Sequence, residues 1–436
     1  MPVIISICII SALALLIFNK IIYPTFISPL SKIPNAHFTV PFSSLWLKYQ
    51  RRNGRTGIKP VFEAHKNHGA VIRIGPSELS VASLDGLRQV YTGAFEKTGF
   101  YTEFVNYKIP NLVSMLGNQQ HAIQKRMISN VYSKSFIQSS TDLETISKVL
   151  LFERTLPILE RASTSAERVN VIRLNGALGS DFMISYLLGL GSCQDFIRQP
   201  VSGKEFFEKV KIKTRLLPGH EKATQKIETL IQSLCEQISS SPLEERATDP
   251  VVYTQLFSRL SQTQSPYSNT QQTASELMDH LLAGTETVRV VLTYLQWELS
   301  CRPDLQAALR HELQTLRSDY RTEMPDPKRL DALPLLNAVL RETMRRYPAT
   351  SMILPRITPP QGTVIDGYTI PGGVTVGASA YCLHNNPEVF REPEKFDPYR
   401  WSDEKRVAEM NRWWWAFASG GRMCIGSHFA IFGTFC

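Results

Sequence analysis

The sequence predicts a mainly α protein with a small β part, carried behind an apolar N-terminal span. Three features predict it. Residues 3–18 are uncharged and nearly all apolar. Apolar positions recur at helical spacing through 142–162, 175–190, 220–239, 272–299, 303–317 and 334–347. Short β-branched runs broken by glycine and proline lie at 70–83 and 349–382.

The first run, "VIISICIISALALLIF", extends through "NKIIY" to Tyr23 and matches one bilayer crossing of about 20 residues. No Lys or Arg precedes it, whereas Lys20, Lys32, Lys48, Arg51 and Arg52 follow. The positive-inside rule therefore places the rest of the chain in the cytosol. A cleaved signal peptide is the alternative, with Ala12-Leu13-Ala14 as its small-x-small site, but that site lies inside the apolar run and no basic region precedes it. The expected organisation is an anchor over 1–23, a stiff extended connector over 24–41 and one mixed domain over 42–436. Four prolines in the connector each remove a backbone donor and restrict the residue before them.

Within the domain, "AVIRIGPSELSVAS" at 70–83 reads as a hairpin broken at Gly75-Pro76. Helices dominate beyond it, with an irregular segment near 191–219, before the β-branched runs punctuated by "PP", "DG" and "PGG". No internal repeat or low-complexity tract interrupts the chain. At 43% apolar over 436 residues, a large core is available. The seven cysteines are scattered without a C-x-x-C pair, which argues against a zinc or disulfide framework and suits a reducing cytosol. A net charge of +9 suits nucleic acid, an anionic membrane surface or an acidic protein partner. The longest basic cluster, "KYQRRNGR" at 48–55, has no nucleic-acid motif around it, so nucleic-acid binding is not expected.

The densest chemical signal is "FASGGRMCIG" at 417–426. The spacing F-x-x-G-x-R-x-C-x-G sets Phe417, Gly420, Arg422, Cys424 and Gly426 where a tight loop presents a thiolate to a metal. Gly420 and Gly421 permit positive φ, so that backbone N–H groups turn toward the sulfur. Gly426 allows close approach of a flat ring, Phe417 lowers the local dielectric, and Arg422 neutralises a carboxylate. A lone cysteine in a glycine-rich turn is otherwise a buried structural thiol. Five matched positions in ten favour the metal.

These residues resemble the cytochrome P-450 family of haem-thiolate monooxygenases, and the resemblance runs from the anchor to the cysteine loop. "AGTET" at 283–287 resembles the family's distal helix: Ala283 and Gly284 then line the oxygen site, and Glu286 and Thr287 deliver protons. "ETMR" at 342–345 and "FDPYRW" at 396–401 resemble the parts of a buried Glu-Arg-Arg scaffold made of Glu342, Arg345 and Arg400. "HAIQKR" at 121–126 resembles the propionate-binding segment, with His121 matching, Lys125 where the family usually has arginine, and Arg126 adjacent. Arg356 in "LPRITP" matches another propionate ligand.

The resemblance implies a triangular prism of helices around haem b, bound by Cys424, and a catalytic domain held cytosolic by a single-pass anchor in the endoplasmic reticulum membrane. It further implies O2 as oxidant and NADPH electrons delivered by the flavoprotein NADPH-cytochrome P-450 reductase. A lipophilic small molecule, as in fungal secondary metabolism, would sit among residues 98–115, Leu281, Leu282 and Ala349 to Ile353. After Cys424 the family continues further than the twelve residues "IGSHFAIFGTFC", with a hairpin that closes the pocket. Gly433 also stands where the family carries an acid. A truncated, haem-poor relative without catalysis is therefore the alternative reading of the same sequence.

Overall fold

The computed structural model describes residues 2–52, 57–165, 167–240, 247–316 and 323–435. Residues 53–55 of the basic cluster, position 317 of one expected helix and Cys436 lie outside them. Where the sequence suggests one domain after the connector, the chain forms two compact units. The first comprises Met1–Phe100, Thr350–Glu394 and Ala408–Met423; the second comprises Tyr101–Ala349, Lys395–Val407 and Cys424–Cys436.

In the first unit the apolar N-terminus is helical, as an α-helix over Pro2–Ile17 that widens into a π-helix over Phe18–Ile27. Val3–Ile27 is long enough to cross a membrane, with mean hydropathy 2.4, and none of its hydrophobic window is buried. The connector is not extended throughout. Pro24 lies inside the widened helix, where loosened hydrogen bonding accommodates its missing N–H. Pro29–Lys32 forms a single 3-10 turn, with Ser28 Oγ accepting from Leu30 N at 3.3 Å. The connector is tied down by Arg73, which is 1% exposed. Its guanidinium donates to the carbonyls of Pro24 (2.7 Å), Pro41 (3.2 Å) and Pro76 (2.6 Å).

The expected hairpin is present as β1 (Val71–Gly75) and β2 (Glu78–Val81), antiparallel with a register shift between Arg73 and Gly75. The other strands are β3 (Glu96–Lys97), β4 (Leu354–Ile357), β5 (Thr363–Ile365), β6 (Tyr368–Ile370) and β7 (Thr375–Ala378). Five form one sheet in the order β1-β2-β7-β4-β3, with only β2 and β7 parallel. β5 and β6 form a separate hairpin whose Asp366-Gly367 turn has φ of 47° and 82°. Two successive left-handed residues match the right-handed twist of a two-residue hairpin, and Gly367 meets that demand without strain. The last part of the expected β region is a short helix, Ala380–His384.

The second unit is helical. Helices over Val171–Leu188 and Asn269–Ser300 pack closely because Gly179 faces the backbone of Thr285; a Cβ there would lie 3.6 Å from the Thr285 carbonyl. Asn175 fixes their register, donating to Thr293 Oγ1 (3.1 Å) and Gln296 Oε1 (2.8 Å). Around this pair lies the main core, including Leu277, Met278, Leu281, Phe182, Tyr186 and Phe429. The segment expected to be irregular over 191–219 is mostly a helix, Pro200–Thr214. Pro200 opens it at the first turn, and Phe206, Phe207 and Val210 bury one face. Five charged residues between 204 and 211 interrupt the apolar spacing and hide that helix in the sequence.

Candidate functional site

The cysteine loop divides between the units, so each half is built separately. In the first unit, Gly420 has φ +71°, and a Cβ there would collide with the carbonyl oxygen of Tyr91. Gly421 does not share the left-handed conformation; Ala418, with φ 59°, does. The loop is anchored by Trp415, whose backbone N donates to His384 Nε2 (2.7 Å) and whose Nε1 donates to Ser419 Oγ (2.9 Å). Phe417 is half-buried and meets the Trp414 ring edge to face at 5.8 Å. Arg422 is half-buried in the turn Gly420–Arg422.

Tyr91 is the hub of this half, and nothing local in the sequence marks it. Its hydroxyl donates to Leu354 O and accepts from Ala378 N, both at 2.7 Å, and its ring packs 4.7 Å from Trp415. Arg356, 3% exposed on β4, lies with its guanidinium 5.1 Å from the same ring. Gly420 and Arg356 are thus both set by Tyr91, the first by its backbone carbonyl and the second by its ring.

In the second unit, Cys424 precedes the helix Ser427–Phe435. Cys424 is an exposed residue, yet burial of its thiol is the largest influence on it and pushes it up from its ordinary range. A hydrogen bond from Gly426 N–H and the cation of Lys125 act the other way, favouring the thiolate. Lys125 lies on the helix Asn118–Ile128, with His121 one turn earlier and buried. Arg126 is exposed on a different face, so Lys125 is the cation brought to the sulfur.

On the long helix Asn269–Ser300, Leu277 to Leu282 are all buried, and Ala283 is abruptly exposed. Gly284 faces the other way: its vacant Cβ position is occupied by the side chain of Met183. Thr287 Oγ1 donates to Ala283 O at 2.8 Å. Glu286 pairs with Arg289 at 2.6 Å, each about one-seventh exposed, while its Oε1 is buried without a hydrogen-bond partner. No hydrogen bond joins Glu286 to Thr287 among the described residues.

Glu342, Arg345 and Arg400 converge as expected. Glu342 and Arg345 are fully buried, paired through Nε–Oε2 and Nη2–Oε1 contacts of 2.8 Å each. Arg400 Nε donates to Glu342 Oε1 at 3.1 Å. Two further donors complete the carboxylate's shell: Trp401 Nε1 at 3.0 Å and Asp397 N at 3.0 Å. Trp401 was legible only as part of "FDPYRW". Leu281 and Leu282, expected at a substrate pocket, are packed into the helical core instead.

Within the second unit these features suit a flat, iron-bearing, carboxylate-edged group: a sulfur with a backbone donor, a small exposed alanine after a buried run, and a cation at Lys125. Comparison with known proteins agrees. A model of the family described as Cytochrome P450 matches residues 205–435. The cytochrome P450 monooxygenase orf2 of Aspergillus niger is 26% identical over 441 residues, covering 95% of this chain and 85% of that protein. Hkm5 of Aspergillus hancockii, a cytochrome P450 monooxygenase, is 26% identical over 96% of this chain and 85% of its own. The cytochrome P450 monooxygenase ORF9 of Penicillium roqueforti is 26% identical over 97% and 84%.

Proposed function

The chain belongs to the cytochrome P450 family, and on that premise we propose that it is a membrane-anchored haem-thiolate monooxygenase placing one oxygen atom of O2 into a lipophilic small molecule of fungal secondary metabolism. The observation that carries this reading is Cys424, a sulfur that receives both a Gly426 N–H bond and the charge of Lys125. Haem b bound there supplies dioxygen activation favoured by a thiolate ligand. In the second unit His121 and Lys125 are the residues that would hold a propionate, and Arg356 and Arg422 of the first take that role by family resemblance alone.

The protein's own contribution is position, charge and protons. Gly426 and Lys125 favour negative charge on the sulfur, against the burial that opposes it. Ala283, exposed on the long helix, would leave room beside the bound group that a larger side chain would fill. Thr287, whose hydroxyl hydrogen is committed to Ala283 O, has lone pairs free to take up and pass on a proton. Glu286 Oε1, buried and without a partner, is the matching acceptor on the next residue.

The chain carries no G-x-G-x-x-G after a strand and no flavin signature, which supports an external electron source, NADPH through a membrane-bound reductase. Val3–Ile27 supports a single-pass anchor, in the endoplasmic reticulum with the catalytic part cytosolic. The test is co-expression with a fungal reductase in yeast microsomes supplied with 18O2 and a panel of lipophilic fungal metabolites. The expected result is an NADPH-dependent product carrying one label atom. Products formed without NADPH, or without label, contradict the reading.

A further inference from the structure

Two turns before Ala283, the long helix buries a polar cluster that plays no part in that reaction. Glu276, Asp279 and His280 stand at i, i+3 and i+4 and so share one face. They are 1%, 8% and 6% exposed, and one ligating atom from each lies within 4.8 Å of the other two. Two carboxylates at such burial require compensating positive charge. Lys213, itself 3% exposed, lies within electrostatic reach of Asp279 and offsets one of them.

The decisive contact is His280 Nε2 to Glu276 Oε1, at 3.2 Å. An imidazole lone pair facing a carboxylate oxygen needs a proton or a metal ion between them. A shared proton requires the N–H to point along the line to the oxygen. It does not: His280 Nε2 is buried without an aligned hydrogen-bond partner. A metal removes that requirement, because the two lone pairs then converge on a third point. Two ligands each about 2.1 Å from an ion, at the tetrahedral angle, sit about 3.4 Å apart, close to the separation seen.

The surroundings are those of a held ligand set. Tyr132 Oη lies 2.7 Å from His280 Nδ1. A phenol oxygen accepting Nδ1–H there selects the tautomer that leaves Nε2 free to ligate. Glu276 is steadied by Leu112 N (3.2 Å to Oε2) and Gln124 Nε2 (3.3 Å).

We propose that Glu276, Asp279 and His280 bind one divalent transition-metal ion, separate from the Cys424 site. One imidazole with two carboxylates suits zinc first, since an imidazole is a poor ligand for magnesium or calcium. Through Glu276 the ion pins Leu112, and with it the end of the 98–115 loop, to the long helix.

The test uses the full chain, haem-loaded, in detergent. It is dialysed against buffered low-micromolar zinc, desalted and analysed for zinc and iron together. Wild type is expected to hold about one zinc per chain, and His280→Gln to lose it about ten-fold or more with iron retained. Zinc K-edge absorption of the wild type is expected to show a single imidazole among oxygen neighbours, which decides the matter even where the variant does not fold. Background zinc in the wild type, undiminished zinc in His280→Gln, or a sulfur-dominated shell would overturn the proposal.

Discussion

Met183 occupies the space that a side chain on Gly284 would need, its Cγ and Cε lying 2.6 and 3.0 Å from the missing Cβ. The glycine of "AGTET" thus serves the packing of two helices, and Ala283 is the residue left facing open space. Gly284→Ala is expected to cost about 1–3 kcal/mol through overpacking. Combining it with Met183→Ala should cost less than the sum of the single changes, because the two share one space. Urea unfolding followed by circular dichroism checks both; additive costs would contradict the contact.

Glu342 accepts from two guanidinium groups, an indole and a backbone amide, all at 2.8–3.1 Å. Glu342→Ala leaves Arg345 buried and uncompensated, a loss of about 3–5 kcal/mol. The expected phenotype is poor folding and haem retention. Trp401→Phe removes one donor to a charged acceptor and is expected to cost about 1.5–3 kcal/mol.

His65, buried between Gly69 O (2.9 Å) and Ser80 Oγ (2.8 Å), has its pKa pushed down from 6.5 to about 4, chiefly by burial. Between those values the unfolded chain takes up a proton that the folded one refuses. Stability from this residue is therefore complete above pH 6.5 and falls as the pH drops, by roughly 3 kcal/mol near pH 4. Unfolding midpoints measured across that range should show a limb that His65→Gln flattens.

If the basic surface that includes Lys125 and Arg126 receives an acidic reductase, reversing both charges slows the first electron transfer and flattens its dependence on salt. Stopped-flow reduction at low and high ionic strength measures this. Unchanged rates in the doubly reversed variant would exclude these residues from docking.

What the sequence made legible was local or carried by a known motif. The hairpin at 70–83, the Asp366-Gly367 turn and the long helices follow from spacing and turn chemistry within a few residues. Glu342, Arg345 and Arg400 were identifiable only through resemblance, since a Glu-Arg pair at i, i+3 is common on helices. Tyr91, Met183 and Arg73 were not legible at all. Their importance lies in contacts with residues distant in sequence: Leu354 for Tyr91, Gly284 for Met183 and Pro24 for Arg73. The Pro200–Thr214 helix was missed for a different reason, that its charged residues break the apolar rhythm while tertiary burial of Phe206 and Phe207 secures it.

The central claim is that the sulfur of Cys424 binds haem iron as a thiolate. The most direct measurement is the difference spectrum of the dithionite-reduced, carbon monoxide-bound protein, taken for wild type and for Cys424→Ser. The account predicts the strongly red-shifted Soret band of thiolate ligation in the wild type and its disappearance in the variant. The same red-shifted band in Cys424→Ser would contradict it.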